Sequence, residues 1–167
     1  MSLIDKSYFT GTINIDTGKS DTQILLAAYI TDSEAKYLTM LLGEDLYYDY
    51  TQNPTVQKYV DLITGKVYVD NGISKNYTGV KQMLAYFTWH EFQIAQISFS
   101  SVLGEASGMS VNSTIVEPTM KLVNAWNAGA DLFRKAQKFI TWANTQNPAT
   151  YENYLFHEIS DKNTFSV

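Results

Sequence analysis

The sequence predicts an all-α fold, a helical bundle built on two long antiparallel helices, and three observations carry that prediction. Apolar residues recur at helical spacing through Gly79–Leu103 (GVKQMLAYFTWHEFQIAQISFSSVL) and again through Pro118–Asn144 (PTMKLVNAWNAGADLFRKAQKFITWAN). Helix start and stop signals crowd the first 65 residues. Strand-like alternation is confined to two short stretches, residues 12–16 and 67–73.

Residues 1–19 form an N-terminal arm, in which Thr12-Ile13-Asn14-Ile15-Asp16 alternates polar and apolar and Thr17-Gly18-Lys19 turns the chain. Ser20-Asp21-Thr22-Gln23 fits a capping box, in which a hydroxyl and an amide side chain satisfy the orphan amides of a helix start. A short helix through Ile24, Leu25, Ala28 and Tyr29 follows. Thr31-Asp32-Ser33-Glu34 is a second capping box, opening a helix with Ala35, Leu38, Leu41 and Leu42 on its face and Gly43 as its stop. Two boxes this close predict two short helices meeting at an angle.

Glu44–Tyr50 suits a further helix with its acids in the first turn, where the dipole favours them. Asn53-Pro54 predicts an N-cap with Pro at the first helical position, and a helix through Val56, Tyr59, Val60 and Ile63 to Gly65. Val67-Tyr68-Val69, Asp70-Asn71-Gly72 and Ile73 outline a small β-hairpin near 66–77, because Asn-Gly tolerates the positive φ of a type I′ turn.

Each of the two long helices, about 79–103 and 118–144, would span about 37–40 Å. On the first, Val80, Leu84, Phe87, Ile94 and Val102 make one stripe and Met83, Tyr86, Ile97 and Ser101 an adjacent one, so protein should surround it. On the second, Met120, Val123, Trp126, Ala130, Phe133 and Ile140 face inward, and Lys121, Asp131, Arg134, Lys135 and Lys138 mark the wet side. Asn147-Pro148 restarts a short helix through Tyr151, Tyr154 and Leu155. The helical domain thus covers 20–158, and 159–167 is a tail.

Composition narrows the function. With 12 Tyr, 8 Phe and 3 Trp the core is aromatic, while charged residues make up only 17%, against about 25% in typical soluble proteins. A surface so poor in charge is covered by neutral polar groups or by other subunits, whose interfaces favour Tyr, Trp, Phe and Met. The net charge is −5 and Arg134 is the only arginine, which argues against direct nucleic-acid recognition. The absence of cysteine removes disulfides, thiol nucleophiles and thiolate metal sites. A soluble protein is expected, with no secretory signal and no stretch of the roughly 18 apolar residues that a membrane span needs.

Candidate chemistry is sparse. His90-Glu91 begins a zincin motif, but position 94 is Ile where the second histidine belongs. His157-Glu158 fails in the same way, with Asp161 in that place. No metal site and no cofactor are expected, and His90 is expected as a hydrogen-bonded polar residue within an apolar helix. Glu44, Asp45 and Asp49, interleaved with Tyr47, Tyr48 and Tyr50, lack a calcium-loop register and fit a solvated helix start or a tyrosine-rich contact surface. Gly104 and Gly108 follow no strand and have no Lys-Ser/Thr partner, so they make no phosphate loop. The loop they belong to, 104–117, is longer than a helix connection requires, and such loops are often functional. Arg134, Lys135 and Lys138 sit late in their helix, where positive charge suits the dipole.

Taken together, the layout resembles the head–tail connector (adaptor, or head-completion) proteins of tailed bacteriophages. The resemblance rests on Tyr37-Leu38-x-x-Leu41-Leu42-Gly43-Glu44-Asp45-Leu46-Tyr47, on Gly79-Val80-Lys81-x-x-Leu84-Ala85-Tyr86-Phe87 opening an aromatic-rich central helix, and on a Gly- and Asn-bearing loop leading to a second long helix and a short aromatic segment. The 66–77 segment reads as an insertion, and the 104–117 loop lacks basic residues suited to DNA.

The resemblance implies a non-enzymatic virion protein, made in the host cytoplasm and placed in the neck between capsid and tail. Its partners would be further copies of itself in a ring, commonly of twelve, the portal protein, a downstream neck or tail protein, and genomic DNA passing the lumen without sequence recognition. No membrane is involved. Twelve copies at −5 would carry about −60, and acidic walls repel phosphate. Contact residues are expected at Phe9, Ile13 and Ile15 in the arm, at Tyr47, Tyr48 and Tyr50, at Gly104, Gly108 and Met109 in the loop, and at Tyr151, Tyr154, Leu155 and Phe156. The alternatives are another neck or tail-completion ring (terminator or stopper), whose folds carry a substantial sheet, and a small helical ligand-binding module.

Overall fold

Side-chain hydrogen bonds to backbone carbonyls tie the segments of this chain together, and the aromatic residues supply many of them. The structure, a computed structural model, describes residues 2–101, 104–107 and 118–163. Among these the fold is mostly helical, with α1 (Ser20–Leu42), α2 (Glu44–Gln52), α3 (Gln57–Thr64), α4 (Lys81–Ile97) and α5 (Pro118–Gln146). Two antiparallel hairpins complete it, β1 (Lys66–Asp70) with β2 (Ile73–Tyr77) and β3 (Ser98–Ser101) with β4 (Gly104–Ser107).

The first hairpin lies where the Asn-Gly turn places it. Asn71 (φ 50°) and Gly72 (φ 77°) both take positive φ, as a type I′ turn demands. Its base is closed by two glycines. Gly65 (φ 89°) and Gly79 (φ 81°) lie so close that a Cβ on the former would run into the Tyr77 carbonyl, and one on the latter into that of Ile63. Gly43 (φ 78°) ends α1, and its N–H bonds the Thr39 carbonyl.

Several expectations fail for identifiable reasons. Residues 20–42 form one 23-residue helix, not two at an angle. The Thr31 hydroxyl turns back to the Ala27 carbonyl (3.1 Å), and Glu34 accepts from the Leu3 and Ile4 amides (2.7 and 3.0 Å), so neither caps a helix start. The first box does not cap either: the N-cap is Lys19, and the Gln23 amide reaches the Thr17 carbonyl. The buried stripe of α1 is Leu26, Ile30, Tyr37, Leu38 and Leu41, which leaves Ile24 and Leu25 exposed. With α1 unbroken, α5 (29 residues) and α1 (23 residues) outrun α4 (17 residues). The α4 helix stops at Ile97, and Ser98–Ser101 pairs as a strand. Serine competes for its own backbone and weakens a helix. The α3 helix starts at Gln57, because Asn53-Pro54 makes a turn instead, closed by Val56 N–H to Asn53 O.

The described terminal segments are packed on the rest of the chain. Residues 12–16 form no strand; two 3₁₀ turns, Lys6–Tyr8 and Gly11–Ile13, shape the N-terminal segment. Ile4, Phe9, Ile13 and Ile15 belong to the main core, as does Ile159. After Asn147-Pro148 the chain makes turns, not a helix.

The core is aromatic. Tyr37 of α1 stacks on Phe87 of α4 at 4.2 Å, Phe87 meets Trp126 of α5 at 5.1 Å, and Tyr77 of β2 stacks on Phe139 of α5 at 4.5 Å. Polar ends of the rings find backbone acceptors. Trp89, Trp126 and Trp142 donate to the carbonyls of Asn14, Ser160 and Val69, and Tyr59, Tyr77 and Tyr151 to those of Leu46, Leu62 and Lys58.

The hairpin base gives a graded test. Gly79→Ala forces both a left-handed backbone and a carbonyl clash, and should cost more than about 3 kcal/mol. Gly72→Ala has open space around its Cβ and bears only the conformational penalty, about 1 kcal/mol. Urea unfolding of the two variants measures the difference.

Candidate contact surfaces and a buried polar cluster

The exposed apolar side chains fall on separate elements. At the C-terminal side, Leu155 and Phe156 are adjacent and 69% and 65% exposed. They follow Asn153, which takes positive φ (61°) and bends the chain outward from buried Tyr151. On α2, Tyr48 is exposed, while Tyr47 and Tyr50 are half-buried against the core. On the hairpin, Val67 and Val69 point away from Tyr68, which packs on Phe139 and Trp142. Ile73 at the turn is also exposed, but it pairs with Asp70 and so lies on the Tyr68 face of the hairpin. Isolated exposed hydrophobes are ordinary, but a two-stranded hairpin with a valine face is an adhesive surface unless something covers it.

The expected contact residues divide accordingly. Tyr48, Leu155 and Phe156 are accessible. Phe9, Ile13 and Ile15 are buried in this chain's own core, so the arm expectation gives way to intramolecular packing. Tyr151 is also buried, its hydroxyl held by the Lys58 carbonyl at 2.6 Å. Tyr154 is half-buried. Gly104 opens β4, and Gly108 and Met109 lie outside the described residues. The hairpin valines were missed, although the alternation Lys66-Val67-Tyr68-Val69-Asp70 already places both on one face. Beside α1, Ile4, Leu26, Ala27 and Ile30 line a groove of about 560 Å³, with Lys6 and Gln23 at its edge.

The second feature is polar and internal. Glu91 of α4 accepts from the Tyr37 hydroxyl (2.5 Å) and the Lys36 ammonium (2.7 Å), both on α1. Burial by itself raises the Glu91 carboxyl, but those two donors outweigh it and hold it below the ordinary value. Burial and the neighbouring carboxylate raise the Tyr37 phenol, which stays protonated and donating. His90, only 1% exposed, has the polar contact expected of it at one ring nitrogen only. Its Nδ1 has no partner, and its Nε2 faces the Lys162 ammonium at 3.5 Å. Burial, reinforced by that ammonium, lowers its pKa to about 4. Asp49 is bound to Tyr59, Lys58 and Asn53, which accounts for one of the three acids near the start of α2. Among the described residues no three His, Asp or Glu side chains gather as a metal site would require, and no helix is long and apolar enough to cross a membrane.

Residues 38–100 match the family described as "Family of unknown function (DUF6712)". The match runs from the end of α1 through the first hairpin and α4 into β3. No curated protein and no solved structure matches the chain.

Removing the Tyr37 hydroxyl tests the cluster. Tyr37→Phe deletes a hydrogen bond to a charged acceptor and should lower stability at pH 7 by about 1.5–3 kcal/mol. Because the folded Glu91 is depressed below its reference of 4.5, its contribution is complete above that value and declines as pH falls below it. The gap between wild type and Tyr37→Phe, followed by urea unfolding from pH 7 to 3.5, should therefore be level and then narrow.

Proposed function

We propose that the protein is a structural component of a tailed-phage neck, a head–tail connector that joins further copies of itself in a ring between portal and tail. In this reading it performs no catalysis, and DNA passes its lumen without being gripped. The observation that carries the proposal is the presence of apolar contact groups on separate elements, at Leu155–Phe156, at Tyr48 and on the hairpin. A subunit that touches a neighbour on each side and a different protein above or below needs several such surfaces, since ring contacts are heterologous.

Electrostatics supports the same reading. The only arginine is paired with Asp131 and Asp161, so its guanidinium is committed inside the chain rather than offered to phosphate. With a net charge of −5, copies around a channel would present DNA with a repulsive wall. A mostly helical chain also suits an adaptor better than a terminator ring built on a substantial sheet. In the proposed role α4 and α5, packed through Phe87 and Trp126, act as the rigid post of the subunit.

The test is binding to the portal ring of the same phage. Wild-type protein should co-sediment with it, and Leu155→Asp/Phe156→Asp should weaken binding at least tenfold. Both side chains are exposed, so the double variant should keep its stability within about 0.5 kcal/mol. A wild-type chain that ignores the portal at micromolar concentration overturns the proposal.

A further inference from the structure

Residues 160–163 lie across α5 and are held by its side chains, not by helix or sheet hydrogen bonds. The Trp126 indole donates to the Ser160 carbonyl at 2.9 Å. Asn127 grips Lys162 twice, its amide donating to the Lys162 carbonyl (3.0 Å) and its oxygen accepting from the Lys162 N–H (2.8 Å). Asp161 pairs with Arg134. The Lys162 side chain then passes over the Trp126 ring, its ammonium 4.6 Å from the centroid, and ends 3.5 Å from His90 Nε2. An ammonium has only hydrogens to offer, so a lone pair of Nε2 faces it and the neutral ring carries its proton on Nδ1.

We propose that residues 160–163 are a releasable strap whose latch is the uncharged ring of His90, so that a proton added to Nε2 ejects Lys162 and loosens the strap. The proton comes from solvent and replaces the lone pair that faced the ammonium, leaving two cations in contact. Charges from three of the elements around this ring bear on it, while α5 faces it with the neutral Trp126 indole: Lys162 from the strap and Lys36 from α1 oppose its protonation, and Glu91 from α4 favours it. Glu91 is paired with Lys36 and accepts from Tyr37, and it offsets only part of what burial and Lys162 do to the ring. Relief comes most readily from the side that is not part of a helix, since the strap is held by a few exchangeable hydrogen bonds while α4 is packed on both α1 and α5. Once the strap lifts, water reaches the imidazolium, the Trp126 face opens, and Arg134 retains Asp131.

The inference is independent of any role in a virion, and linkage gives its size. Opening takes up one proton, so the opening constant should rise up to tenfold per pH unit between the ring's ordinary value of 6.5 and about 4. The full range is at most about 300-fold.

The measurement is hydrogen exchange at the Lys162 amide, followed by NMR from pH 7 to 4.5 and corrected for the intrinsic rate. Protection should fall with pH in the wild type, while core amides in α1 and α4 keep theirs. His90→Gln should make Lys162 protection independent of pH, which separates the ring from the carboxylates of Asp161 and Glu91. Lys162→Met, which keeps the stem over Trp126 and removes the charge, should shrink the pH effect. Flat wild-type protection, a pH dependence that persists in His90→Gln, an undiminished total change in Lys162→Met, or a parallel loss in α1 and α4 would each overturn the proposal.

Discussion

The spacing of the three main helices is set at one point, where Phe87 of α4 occupies the notch left by Gly129 of α5. A Cβ at position 129 would stand 2.7 Å from the ring. A mid-helix glycine costs about 1 kcal/mol relative to alanine, and here it brings α5 against the ring edge. From that seat Phe87 lies flat on Tyr37 and supports Trp126. The consequences run outward in both directions. Tyr37, fixed by the stack, aims its hydroxyl at Glu91. Trp126, fixed by the same ring, presents one face to Lys162 and its N–H to Ser160. The polar cluster and the C-terminal ties are therefore read off one aromatic contact.

Much of the local structure was legible because single residues have single conformational uses. Asn71-Gly72 and Gly43 left little choice, and the hairpin and the end of α1 lie where those residues place them. Capping boxes were less dependable. The side chains of Thr31 and Glu34 cap only if the chain breaks there, and in a continuous helix the same groups are free to bond Ala27 and the N-terminal segment. The Ser-rich end of α4 was hidden by apolar residues on either side, which satisfy a helical period as well as a short strand. Exposure of the expected contact residues was legible only in part. Leu155 and Phe156 follow a turn and stay out, whereas Phe9, Ile13 and Ile15 have an equally exposed-looking pattern but are covered by distant helices. Local sequence does not say what will cover a residue.

The ion pairs have a character of their own. Lys36, Lys58, Lys66, Lys75 and Arg134 each meet a carboxylate of the same chain. Exposed pairs of this kind add about 0–1 kcal/mol apiece, so their stabilising effect is small. Their larger effect is on the field around the protein. Cations neutralised at home do not reach outward, and the excess acids determine what a polyanion meets on approach.

The indole and phenol ties to backbone carbonyls have an evolutionary corollary. Every residue type provides a carbonyl oxygen, so positions 14, 58, 69 and 160 can change their side chains without losing the bond that an aromatic donor makes to them, whereas Leu46 and Leu62 are also held by their place in the core. At those four ties only the donors need to stay. Such an architecture lets sequence drift along one side of these ties while the fold keeps its shape, with the tryptophans and Tyr151 carrying the memory of it.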